Sequence, residues 1–125
     1  MSFDWSEYLK LARALVGKAV RQANREARLR AAISRAYYAA FCKCRNYLRD
    51  YKGHTIPIGG RAHQYVQNEF KKSLDRVRKR IGYNLERLRS DRNKADYEDS
   101  IGMADSMAKV DLALADSVIV ALSKL

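Results

Sequence analysis

The residues best equipped for chemistry sit in one short polar run, where Arg92, Asn93, Asp96 and Tyr97 follow one another closely. Arg92 and Asp96 are four apart, so a helix would place them on one face. Such a pair has two uses. The carboxylate can take a proton while the guanidinium stabilises charge developing on a phosphorus centre. It can equally be an ordinary i,i+4 ion pair, and on spacing alone that use is the expected one. Tyr97 adjoins the pair and is the best-placed functional aromatic. His63 opens a helical stretch after a glycine loop, where it could contact phosphate or approach Arg92 in space. A lone histidine in that position more often packs or caps.

No metal or cofactor is expected. His54 and His63 have no acidic or cysteine companions at ligand spacing. Cys42 and Cys44 lie two apart in a helical pattern, so they point to different faces and do not bridge. Both read as ordinary helix residues of a protein in a reducing cytosol.

The elements that must position these groups form one domain over residues 1–125, read as four helical segments and one substantial loop. In the first, Tyr8, Leu11, Ala12, Leu15 and Ala19 recur at helical spacing, and Asp4 with Glu7 fits a capping box. The second, Ala32 to Tyr51, is the strongest: Ile33, Tyr37, Ala40, Phe41, Cys44 and Leu48 define one face, with Arg and Lys on the other. This spacing makes Tyr37 and Phe41 core residues and puts Tyr38 at an edge or interface. Gly53, Pro57 and Gly59-Gly60 make Lys52 to Arg61 a loop.

Helical rhythm resumes at Val66 and Phe70 and runs through Leu74, Val77, Ile81, Leu85 and Leu88, with Ser73 or Asp75 marking a break. Gly82 is expected to weaken that stretch by about 1 kcal/mol relative to Ala. Asp91 to Gly102 reads as a polar turn region, and the last helix shows Met107, Val110, Leu114, Val118, Ala121 and Leu125 on one side. No alternating run of five or more strand formers occurs.

Charge narrows the partners. The 125 residues hold 25 Lys and Arg against 14 Asp and Glu, a formal net charge of +11. Residues 18 to 52 carry ten basic against two acidic side chains, and residues 61 to 92 carry ten against four. The last 25 residues carry two against three. A basic surface shared by the second and third segments suits a polyanion, since neutralising phosphates releases counterions. Stems of Lys and Arg covering the core account for some of these charges, but not for so large an excess. The charged Asp4, Glu7 and Lys10 are wrong for the apolar stretch of a signal peptide. Leu112 to Leu122 is interrupted by Asp116 and too short to span a bilayer. A cytoplasmic protein without a membrane partner is the expectation.

Three stretches then read together. Ser34-Arg35-Ala36-Tyr37-Tyr38-Ala39-Ala40-Phe41 resembles the signature that opens the central helix of HEPN domains. Arg92 to Tyr97 resembles that family's R-x-x-A-D-Y element, and His63, Val66 and Phe70 fit its intervening H-x-x-V-x-x-x-F pattern. The resemblance covers roughly residues 5 to 123. It implies an all-α, antiparallel up-and-down four-helix bundle, usually a homodimer, found in prokaryotic toxin–antitoxin or defence modules beside a minimal nucleotidyltransferase. In that setting the Tyr97 hydroxyl is also a candidate for nucleotide addition by the partner.

The family's ribonuclease motif opens with Arg and a polar residue, as Arg92-Asn93 does, and continues to a His four to six positions on. Here Tyr97, Glu98 and Asp99 stand in its place. Histidine suits metal-independent RNA cleavage because its pKa lies near neutrality, so catalysis would fall to Arg92 and Asp96 with Tyr97 or His63 assisting. Two functions stay open: a toxin-like ribonuclease with a degenerate motif, and a binding module that contacts RNA through Arg35, Arg87, Arg89 and His63. The absent histidine favours the second. A basic amphipathic membrane-surface protein is the least expected, because the apolar faces are needed for the core.

Overall fold

In the computed structural model, which describes residues 3–17 and 22–125 (the backbone alone for 22–24), the chain forms five helices packed as a bundle. They are α1 (Ser6–Gly17), α2 (Gln22–Tyr51), α3 (Arg61–Lys71), α4 (Arg76–Tyr97) and α5 (Ala104–Ser123). No strand occurs among the described residues, and no helix is long and apolar enough to cross a membrane.

The fifth helix comes from dividing the third expected segment. After Lys71 the chain turns, and Asp75 adopts an extended backbone while its carboxylate accepts from the Arg78 amide at 2.9 Å. Ser73 Oγ accepts from the Asp75 amide at 3.1 Å, so both suspected breakers act in one turn. Leu74, counted with the apolar rhythm, is therefore almost fully exposed at 98%, and Val77 is exposed too.

α2 is the axis. Its 30 residues span about 45 Å, and α1, α4 and α5 all pack on it. Ile33, Tyr37, Ala40, Phe41, Cys44 and Leu48 are buried as their spacing requires. Ala32, Ala36, Ala39 and Ala40 carry no exposed surface, and such small side chains let neighbouring helices approach closely. The helix ends where Gly53 takes a left-handed backbone (φ 70°), and the His54 amide reaches back to the Leu48 carbonyl at 3.0 Å.

Other expectations shift by a residue or a turn. In α1 the buried positions are Leu9 and Ala12, whereas Leu11 is exposed; Ala19 lies outside the described residues. Asp4 accepts from the Ser6 amide (3.0 Å) and hydroxyl (2.7 Å), while Glu7 pairs with Lys10 at 2.8 Å, so no reciprocal capping box forms. In α5 the buried face is Ala108, Asp111, Ala115 and Val118, with Val110 and Leu125 exposed. Alanines against the alanine-rich α2 make a closer seam than the expected stripe of larger residues would.

The polar stretch from Asp91 is helical as far as Tyr97, and only Glu98 to Met103 connects to α5. Leu88, Asp91 and Ala95 keep the buried spacing through it. Arg30 of α2 satisfies the orphan carbonyls at the helix end, donating to Ala95 (3.0 Å), Glu98 (2.6 Å) and Asp99 (3.2 Å).

Gly82 also changes meaning. A Cβ there would lie 2.5 Å from the Lys71 amide nitrogen and 2.9 Å from its Cα. The glycine is what lets α3 dock against α4.

Candidate functional site

Arg92 leaves α4 toward α2, and three partners fix its guanidinium. Nη2 donates to the Tyr38 hydroxyl at 2.8 Å, and Nη1 donates to Asn93 Oδ1 at 3.0 Å. Nε stands 2.9 Å from Asp96 Oδ2, as the i,i+4 spacing anticipates, with its N–H not aimed along that line. The cation also lies over two rings, 5.1 Å from the centroid of Tyr38 and 5.7 Å from that of Tyr97. Asp96 is tied to α2 in turn, since its Oδ2 accepts from Ser34 Oγ at 3.3 Å. Tyr97 remains 74% exposed, so its hydroxyl end is open to solvent.

His63, from the first turn of α3, closes the other side. Its ring stacks on Phe41 at 4.3 Å, and its Nδ1 is 2.5 Å from the Tyr37 hydroxyl. Burial and then the charges of Arg89 and Arg92 hold its pKa below the ordinary value of 6.5. Burial pushes the Tyr37 phenol well above its usual range, so that hydroxyl keeps its proton, and one hydrogen bond joins it to Nδ1. That hydrogen bond ties the inner nitrogen of His63 and leaves Nε2 for a further partner.

Ser34, Tyr37 and Tyr38 of α2, His63 of α3, and Arg92 and Asp96 of α4 thus meet through direct contacts. Arg89 flanks the group, donating to Gln64 Oε1 at 3.1 Å. Arg87 shares no hydrogen bond, ion pair or ring contact with the cluster: it pairs with the buried Asp91 at 3.1 Å, toward Asp111 of α5. No group of three or more His, Cys, Asp or Glu that could hold a metal ion occurs among the described residues. Cys42 and Cys44 are free and buried, and burial raises both thiols above their usual range.

Tyr38 and His63 also line an open cleft of about 970 Å³ between the start of α1, the face of α2 and the loop after it. Arg35 borders this cleft, its guanidinium 5.0 Å from the ring centroid of Tyr8. Trp5 and Arg45 were not legible as site residues one at a time. Yet Arg35, Tyr38, Cys42, Arg45 and Arg49 recur every three or four positions, a polar stripe beside the apolar one that sets α2 in the core.

No family model, curated protein or solved structure matches the chain.

Proposed function

We propose that this is an HEPN-type RNA-binding module, working as a homodimer beside a minimal nucleotidyltransferase in a prokaryotic toxin–antitoxin or defence system. One observation supports the reading: the three stretches that resemble the HEPN family, distant in sequence, meet in one cluster through the Tyr38–Arg92, Ser34–Asp96 and Tyr37–His63 contacts. The net charge of +11 adds a general attraction for a polyanion.

The cluster is better suited to holding RNA than to cutting it. Cleavage without a metal needs one group to take the 2′-hydroxyl proton and another to protonate the leaving oxygen. Asp96 is committed to the Arg92 cation and Ser34. The inner nitrogen of His63 is occupied by Tyr37. What remains is a fixed cation, an exposed aromatic ring in Tyr97 and the second ring nitrogen of His63, which suit phosphate and base contacts.

The competing reading, a metal-independent endoribonuclease using Arg92 and Asp96, is favoured by one fact: a histidine absent from the motif arrives from α3, on the far side of Tyr38, with ring centroids 6.0 Å apart. Incubation of the purified protein with labelled tRNA and with an unstructured RNA, in EDTA and beside Arg92→Ala, separates the two. Retention on a gel without cleavage, weakened in the variant, is the expected result. Arg92-dependent cleavage would establish the ribonuclease, and neither retention nor cleavage would end the RNA reading.

A further inference from the structure

We propose that the cleft between α1, α2 and the loop after α2 binds one nucleotide unit of single-stranded RNA, its base against the aromatic wall and its phosphate on Arg35 and Arg45. The inference deepens the RNA-binding reading and rests on it.

The wall is built of alternating rings and cations. Trp5 and Tyr8 meet edge to face with centroids 5.3 Å apart. Arg45 lies 5.5 Å from the Trp5 centroid, and Arg35 lies 5.0 Å from that of Tyr8. Tyr38 and His63 complete the lining toward the Arg92 cluster.

Chemistry decides what this wall takes. The lining of the cleft holds three arginines and no carboxylate. Asp4 and Asp50, next in sequence to lining residues, are held by Lys43 at 3.0 Å and Arg49 at 2.8 Å. Arg35 and Arg45 form no ion pair among the described residues, so neither guanidinium is locked to a carboxylate there. Guanidiniums outside any direct ion pair, beside flat rings in an open cleft, match a ligand with an anionic end and a π-face. A duplex offers no such face, because its bases are stacked and paired. Rings accept any base, so the site would recognise single-strandedness with little sequence preference. Because Tyr38 belongs both to the cleft and to the Arg92 cluster, a strand entering the cleft would continue directly onto Arg92.

Trp5 is the only tryptophan, so its fluorescence reports on this cleft alone. Full-length protein would be titrated with an oligouridylate of about eight residues, with the same strand in a duplex, and with UMP. Quenching by the single strand, little by the duplex, and binding weakened about tenfold in Arg35→Gln/Arg45→Gln with an unchanged circular dichroism spectrum is the expected result. Equal quenching by UMP would support the same chemistry with a free nucleotide as its source. RNA retained on a gel with Trp5 fluorescence unmoved would overturn the cleft while leaving the Arg92 reading intact. Loss of retention in wild type as well would overturn both. A double variant that misfolds leaves the wild-type titration, and Arg45→Gln alone, to decide.

Discussion

Asp91 and Arg92 are neighbours on α4 and inhabit opposite kinds of surroundings. Arg92 faces a polar and aromatic group reached by solvent, where four side chains share its charge. Asp91 faces α5 and is buried with Asp111, which has no exposed surface. Among the described residues only Arg87 pairs with these two carboxyls, through Asp91, and burial, with the Asp91 charge beside it, pushes the Asp111 carboxyl up to about 8. One helix therefore disposes of charge in two ways: by spreading it over partners on the site face, and by retaining a proton on the core face. The site face keeps an ion pair and the exposed ring of Tyr97 within reach of solvent, and so stays available to a ligand. A face that neutralises its charge serves packing alone.

The two faces should respond to pH in opposite senses. A carboxyl whose folded pKa is raised binds its proton more tightly in the native state, so its contribution is complete below the unfolded value of 3.8 and is lost as pH rises toward 8. The largest effect is thus expected from Asp111→Asn, which removes that loss. Thermal melts should show wild type losing several kcal/mol between about pH 4 and pH 9 and the variant far less. Identical pH profiles would break the comparison. His63 titrates the other way: its lowered folded pKa gives stability that is present above 6.5 and falls with acidification. His63→Gln should flatten the acid side of the same curve.

Next in size is Gly82→Ala, expected to cost about 1–3 kcal/mol because a methyl group meets the backbone of α3. Denaturant midpoints would check it; a stabilised variant, as helix propensity alone demands, would contradict the packing. The smallest effect on stability belongs to the site face. Tyr38→Phe removes the hydroxyl from Arg92 and should cost about 1 kcal/mol, with RNA retention on a gel reduced more clearly than the melting temperature.

The sequence carried the fold wherever large apolar side chains marked the buried face. α2 is the case in point: Ile33, Tyr37, Phe41 and Leu48 are bulky and spaced as a core face must be. α5 resisted the same reading, because its buried positions are two alanines, a valine and an aspartate, and no hydropathy pattern assigns a protonated aspartate to a core. The break before α4 was legible in Ser73 and in Asp75, the cap, whereas the apolar rhythm wrongly carried Leu74 and Val77 into the core. At the site, Arg92–Asp96 followed from spacing, whereas Tyr38 meeting Arg92 joins residues 54 apart and required the fold. The cleft lay hidden for the same reason, since Trp5 and Arg45 become neighbours only when α1 lies along α2.

Gly82 reaches further than its own contact. α3 is a rod of 11 residues, about 16 Å long, seated on Gly82 through Lys71 at one end and carrying His63 near the other. A side chain at position 82 would push Lys71 away, and a short rigid helix would carry part of that shift to the imidazole stacked on Phe41. The missing methyl group thus acts as a spacer of zero thickness, and its setting bears on a site that lies at the opposite end of the helix.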